Sequence, residues 1–285
     1  MKPLLVCKPV LKWPCGKARV LGELLPRLAA GRRLIEPFVG SGVVFLNTDY
    51  DRYLVGDANP DLIGLYRLLQ ESPEEVVAAA RDLFRPENNQ PCAYYFLRDE
   101  MNASEAGLRR TALFIYLNRH AFNGLCRVNA AGRFNVSFGK YAAPYFPEAE
   151  LWGMATKLRE VKLHLGDYED LMLQAGPGDV VYCDPPYVPL SPTASFTAYS
   201  AGGFGHADQE RLARAAERAA GFGATVVVSN HDTPTARALY AGADEVHAFE
   251  VSRSISARAE TRGKAPELLA VFQAVEQPVE LAMAA

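Results

Sequence analysis

Between residues 32 and 70 the chain switches twice from an extended apolar run to a helical one. "RRLIEPF" reads as a strand, "VGSG" as a glycine turn and "VVFLNT" as the opening of a helix. "RYLVGD" and "PDLIGLYRLLQ" repeat the strand and the helix. Strands that alternate with helices build a parallel sheet, so the expected fold class is α/β. The pattern is interrupted and then resumes. From about 73 to 118 only helices are expected, over "PEEVVAAARDLF", "CAYYFLRDEMN" and "EAGLRRTALFIYLN", and next "CRVN" and "RFNVSF" flank a small-residue turn and read as a β-hairpin. "VKLHLGD", "DVVYCD", "ATVVVSN", "DEVHAFEV" and "ELLAVF" are then further strands, with "DQERLARAAERAAGF" the clearest helix among them. The expectation is an α/β domain formed by residues 1–58 and 146–275, a helical insertion at 59–145 carrying the hairpin, and a tail at 276–285 with no assigned structure.

With 285 residues and 49% hydrophobic content the chain can bury one large core. The opening "MKPLLVCKPVLK" is broken by Lys8 before a signal-peptide core could form, and no run approaches the roughly 18 apolar residues that span a bilayer. A soluble, cytoplasmic protein is expected. Five cysteines, at 7, 15, 92, 126 and 183, show no C-x-x-C spacing and suggest neither a disulfide framework nor a zinc site, and Cys183 reads as a small core residue. The net charge of −3 hides a local excess. Residues 101–140 carry Arg109, Arg110, Arg119, Arg127, Arg133 and Lys140 against Glu105 alone, and Arg253, Arg258, Arg262 and Lys264 stand against Glu260. Such runs are most often solvated surface, but nucleic-acid footprints are local in the same way.

Gly40 and Gly42 sit at a strand-to-helix turn, where missing side chains let a cofactor approach the backbone. Phe45 occupies the place of the third glycine of a G-x-G-x-x-G fingerprint, which disfavours hydride-transfer cofactors. Asp57 ends the next strand, where an acid can bind ribose hydroxyls. The segment Asp184-Pro185-Pro186-Tyr187 follows a strand and is more specific. Taken alone, Asp-Pro is usually a rigid turn. An aromatic amino group, however, is a poor nucleophile because its lone pair is delocalised. If the Asp184 carboxylate and the Pro185 carbonyl accept its two hydrogens, they pull the nitrogen towards tetrahedral geometry. Two prolines stiffen the backbone that aims the carbonyl, and Tyr187 offers a face on which a base can stack.

The set "LKWPCGK", "FVGSG", "DANPDLI", "NRHAFNGLCRVN", "GRFNVSFGKY", "DPPY" and "RSIS" resembles the Dam family of DNA adenine methyltransferases, in the right order from about residue 8 to 272. The resemblance implies a class I methyltransferase fold, Rossmann-like, with a seven-stranded, mostly parallel sheet and an inserted helical DNA-recognition domain. It implies S-adenosylmethionine as methyl donor, duplex DNA as partner, base flipping, GATC as the site, no metal and a monomeric enzyme. It makes Trp13, Lys17, Phe38, Gly40, Gly42, Asp57, Asp167, Tyr168 and Asp184 contacts of the donor, and Asp184, Pro185, Pro186 and Tyr187 the catalytic segment. DNA contacts implied in the same way are Lys12, Arg119, Phe122, Asn123, Leu125, Arg127, Asn129, Asn135 and Ser137. Lys12 and Arg127 match readers of the first guanine, and Phe122 an aromatic inserted beside the extruded base. Pro14, Cys15 and Ser137 depart from the family's usual residues.

Other readings carry less. Ser229, His231 and Asp232 lie too close together on one strand end to form a hydrolase relay, and His120 and His164 lack a second metal ligand at metal spacing. A methyltransferase of RNA or of a protein glutamine, or a DNA-binding module without catalysis, remain the alternatives; the hairpin block argues against the first and the intact Asp184–Tyr187 and glycine turns against the second.

Overall fold

The computed structural model describes residues 7–13, 16–190, 203–252 and 264–275. Seven strands form one sheet: β1 Arg33–Glu36, β2 Arg52–Asp57, β3 Val161–Leu165, β4 Asp179–Cys183, β5 Thr225–His231, β6 Glu245–Ser252 and β7 Lys264–Phe272. Their order is β3-β2-β1-β4-β5-β7-β6. The first five strands pair in parallel, and β7 lies antiparallel between β5 and β6. The central strands are apolar almost throughout, as strands covered on both faces must be: every residue of β4 is buried, and so are all of β5 except His231.

Ten helices are described: α1 Leu21–Leu24, α2 Val43–Leu46, α3 Pro60–Glu71, α4 Pro73–Arg81, α5 Pro91–Ala103, α6 Leu108–His120, α7 Glu148–Leu158, α8 Tyr168–Met172, α9 His206–Gly221 and α10 Pro234–Leu239. The start of α3 follows from local chemistry: Pro60 cannot donate its missing amide, and the Asn59 side chain accepts from the Asp61 and Leu62 amides. α6 begins at Leu108, because Gly107 has φ 148°, a conformation no helix accommodates. The sequence reading assigned no element to 148–158. There α7 buries Leu151, Met154, Ala155 and Leu158, a helical stripe preceded by the acids Glu148 and Glu150.

The hairpin is looser than the sequence suggests. Its arms meet in two isolated antiparallel bridges, Val128 with Phe134 and Ala121 with Phe138, and not in regular strands. The Asn129 side chain ties the turn by accepting from the Ala131 and Arg133 amides at 3.0 Å each. The helices between β2 and β3 share the core of the sheet, since one buried cluster runs from Leu34 and Val55 through Leu62, Ile63 and Tyr66 to Leu113 and Leu117. From Thr111 to His120 every residue of α6 is buried, so its polar side chains must find partners inside the protein.

Chain order and sheet order together locate the site. From β1 the chain moves outward to β2 and β3, then returns to β4 on the other side of β1 and continues to β5. The direction of winding reverses between β1 and β4, and a crevice opens outside the carboxyl ends of these two strands.

Candidate active site

Both features singled out in the sequence lie at that crevice. After β1 the chain turns through Val39–Gly42, closed by a hydrogen bond from the Gly42 amide to the Val39 carbonyl at 2.8 Å. Gly40 and Gly42 have φ of 49° and 76°. A Cβ on Gly40 would lie 2.9 Å from the Trp13 indole nitrogen, so the missing side chain is what lets Trp13 cover the turn. The turn is held from two sides: Asp57 accepts from the Gly40 amide at 3.1 Å, and the Tyr66 hydroxyl donates to the Gly40 carbonyl at 2.7 Å. Asp57 also accepts from the Asn59 amide at 2.9 Å, and burial pushes its carboxyl up to about 6 against these bonds. Tyr66 was not singled out in the sequence; the clue available there was a residue with a polar tip on the buried stripe of α3.

Asp167 caps α8, accepting from the Glu169 amide at 2.9 Å, and its other oxygen meets Arg211 of α9 at 2.7 Å. Tyr168 stacks on Phe38 with ring centres 5.0 Å apart and receives a bond from Arg211 Nε at 2.7 Å. Phe38, Gly40, Gly42, Asp57, Asp167 and Tyr168 thus lie at or just beyond the carboxyl ends of the neighbouring strands β1, β2 and β3.

Beyond the end of β4 the Asp184–Tyr187 segment is built around one buried cation. Lys17 is 4% exposed, and its ammonium lies 3.0 Å from Asp184 Oδ1 and 3.8 Å from Glu267 Oε2 of β7. It also donates to the Tyr187 hydroxyl, which donates in turn to Glu267 at 3.2 Å. Burial raises the Asp184 carboxyl above the usual carboxylate range, and Lys17 opposes that shift. Glu36, at the end of β1, is held well above that range by burial first and the charge of Asp184 second. Its Oε1 is buried without a partner among the described residues. Among the described residues, Asp184 and Glu267 share the one ammonium of Lys17, and Glu36 lies close enough to Asp184 to be raised by its charge, while Asp57 holds the Gly40 turn. A glycine turn beside a pair of carboxylates, Asp184 and Glu267, that share one lysine suits a donor that is itself cationic. Glu36 and Glu267 escaped the sequence reading because only the sheet brings β1 and β7 to this point.

The expected DNA contacts fall into two groups. Phe122 is 51% exposed, and Asn123, Arg127 and Ser137 are exposed as well, with Leu125 and Asn135 partly so. Arg127 Nε donates to Asn135 Oδ1 at 3.1 Å, which leaves the two terminal nitrogens for a ligand. Lys12 lies over the Tyr141 ring at 4.2 Å, brought beside the hairpin by Asn118, which bonds both the amide and the carbonyl of Lys12 and the carbonyl of Gly124. The other two side chains are engaged within the protein itself. Arg119 is 8% exposed and donates to the Val10 carbonyl, a place in the seam between α6 and the chain before Lys12. The Asn129 side chain is engaged in its own turn. Pro14, Cys15, "RSIS" and Arg253, Arg258 and Arg262 lie outside the described residues, and Lys264 pairs with Glu250 at 2.9 Å.

Ser229, His231 and Asp232 bond in three directions, to Tyr182, to the Val188 carbonyl and to Arg237. His120 is buried against Tyr116 and pushed down to about 4, by burial above all. Among the described residues no group of three His, Cys, Asp or Glu side chains is placed to hold a metal ion.

A seven-stranded sheet with one antiparallel strand, a glycine turn after β1 and an acid after β2 define a class I methyltransferase fold. The profile of the D12 class N6 adenine-specific DNA methyltransferases matches residues 13–255, and the chain belongs to that family. It is 48% identical over 263 residues to the DNA adenine methylase of Escherichia coli strain K12, covering 92% of this chain and 94% of that one. Identity to the DNA adenine methylase of Serratia marcescens is 47% over 264 residues, covering 92% and 97% of the two chains. For the enzyme of that name from Vibrio cholerae El Tor it is 45% over 263 residues, covering 92% and 95%. The protein is an adenine-specific DNA methyltransferase.

Proposed function

We propose that the chain transfers the methyl group of S-adenosylmethionine to N6 of an adenine flipped out of double-stranded DNA, within GATC. The observation that carries this reading is the junction at the reversal point of the sheet: Asp184, held at 3.0 Å by buried Lys17, directly follows β4, the strand next to β1, which leads into the Gly40–Gly42 turn. Bound in that crevice, the donor supplies an electrophilic sulfonium methyl group. Trp13, Phe38, Gly40, Gly42, Asp57, Asp167 and Tyr168 would hold it, with Asp57 turned to the ribose.

The duplex hides the target nitrogen, so the base leaves the stack at a cost of a few kcal/mol. Exposed Phe122 fills the gap, and Tyr187 receives the base. The Asp184 carboxylate and the Pro185 carbonyl accept the two amino hydrogens, which frees the nitrogen lone pair for in-line attack. As the donor's sulfur–methyl bond would break, leaving a neutral thioether, Asp184 would stabilise the positive charge that develops on nitrogen until the amino group releases one proton to solvent, so positioning and electrostatics supply most of the rate. Lys17 keeps Asp184 ionised against the cost of burial.

Arg127 and Lys12 read the first guanine, joined by Asn123, Leu125, Asn135 and Ser137 along the hairpin, while Arg119 and Asn129 hold the reading surface in shape. We take residues 59–145 as the recognition insertion. The reading also places the enzyme in the cytoplasm as a monomer; no described helix is long and apolar enough to cross a membrane. Sequencing methylated bases at single-base resolution after incubation of duplex DNA with enzyme and donor tests it. N6-methyladenine at GATC alone is expected; methylation scattered over other adenines, or none, overturns it.

A further inference from the structure

We propose that Gln209 of α9 and Asn230 of β5 form a buried carboxamide clamp that aims the Asp184–Tyr187 segment, with Gln209 a positioning residue for methyl transfer; this rests on the reading of the site above. Gln209 Nε2 donates to the Pro186 carbonyl at 2.6 Å, and Asn230 Oδ1 accepts from the Val188 amide at 2.9 Å. The two bonds grip the main chain on either side of Tyr187. They are joined to each other, since Asn230 Nδ2 donates to Gln209 Oε1 at 3.1 Å, and the Tyr240 hydroxyl closes the group at 3.1 Å from Asn230 Nδ2 and 3.3 Å from Gln209 Oε1.

All three side chains are 0% exposed. Their orientations follow from the partners: a carbonyl can only accept and an amide N–H can only donate, so Gln209 must turn its NH₂ to Pro186, and Asn230 its oxygen to Val188. The rest of the buried face of α9 is Leu212, Ala213, Ala215, Ala216, Ala219 and Ala220. Packing alone would be served there by another apolar residue, because a buried carboxamide stabilises nothing unless it is fully paired.

What the clamp fixes is the aim of the segment. Pro186 has a ring-locked φ, so holding its carbonyl also holds the adjoining peptide plane, which carries the Pro185 carbonyl. Lys17 sets the Asp184 side chain, and the clamp sets the main chain beside it. Neither carboxamide belongs to the Gly40–Gly42 turn or the segments around Asp57 and Asp167, which carry most of the expected donor contacts, and the Asp184 side chain is held by Lys17, so donor affinity should change little.

The test uses the full-length enzyme and its Gln209→Leu and Gln209→Glu variants, with single-turnover methylation of a GATC duplex at saturating donor followed across pH, and donor affinity measured by calorimetry. Gln209→Leu should lower the single-turnover rate about 10- to 100-fold, as loss of alignment does, with donor Kd unchanged within about threefold. Gln209→Glu can donate to Pro186 only when its carboxyl is protonated, so its rate relative to wild type should rise as pH falls. If Gln209→Leu stays within about twofold of wild type, if the loss falls on donor Kd, or if the ratio for Gln209→Glu does not change with pH, the clamp is overturned. A wild type that leaves adenine unmethylated overturns the reading beneath it; a wild type that methylates beside an unimpaired Gln209→Leu overturns the clamp alone.

Discussion

Replacing Lys17 with methionine keeps the length of the side chain and removes the cation around which the Asp184–Tyr187 segment is arranged. In the wild type the ammonium lies 3.0 Å from Asp184 Oδ1. At an effective dielectric near 20 that attraction is about 5 kcal/mol. The Asp184 side chain is 23% exposed, so solvent screening removes roughly half, and about 2–3 kcal/mol remains to favour the ionised carboxylate. Burial already raises the Asp184 carboxyl and Lys17 opposes it, so the variant carboxyl must move further up. In the proposed mechanism methyl transfer needs the ionised form. The acid limb of the kcat profile, measured from about pH 5 to 9 with saturating donor and DNA, should therefore move to higher pH, while activity recovers towards a plateau on the alkaline side. A limb that moves by less than about half a unit, with a rate lowered equally at all pH, would refute the role given to Lys17.

Three further outcomes follow from the same geometry. Phe122→Ala should reduce the fluorescence rise when enzyme binds a duplex with 2-aminopurine at the target position, because a stacking contact of about 1–3 kcal/mol is lost from the extruded state; an unchanged rise would move that role elsewhere. Arg127→Ala should relax the preference for GATC over AATC, CATC and TATC by about 1–3 kcal/mol, measured as the ratio of methylation rates, whereas an equal loss on all four duplexes would make it a phosphate contact. His120 is buried and pushed down from 6.5 to about 4, so the unfolded chain takes up a proton before the folded one does. The stability it contributes is present above pH 6.5 and lost as pH falls towards 4, and urea unfolding should show the wild type losing up to about 3 kcal/mol more than His120→Gln over that interval.

Much of the molecule was open to reading in one dimension. Hydrophobic period distinguished the strands "DVVYC" and "TVVVS" from the helix at 208–221, because burial on both faces and burial on one stripe leave different local patterns. Gly40, Gly42 and Asp184–Tyr187 were found for a related reason: a left-handed turn and a stiff Pro-Pro segment need particular residues at adjacent positions. The stripe of α7 was equally local and was passed over, and the hairpin, legible as a turn with two arms, proved too irregular to form strands.

The electrostatics and the alignment of the site are not local. Lys17, Asp184, Glu267 and Glu36 come from four segments, and nothing in the neighbours of any one of them says that it will meet the others. The same holds for Gln209 and Asn230, which read as a polar helix residue and a strand end until α9 and β5 close on Pro186 and Val188. Arg119 shows the converse: a charge in a basic run reads as surface, and only the burial of α6 on all sides turns it inward to the Val10 carbonyl. Sequence alone determined the sheet, its turns and the chemistry available at them, because backbone conformation answers to neighbouring residues. Tertiary structure decided which charges face one another and which carbonyls are held, because hydrogen bonds and Coulomb attraction act over a few ångströms in space, however far apart along the chain the partners lie.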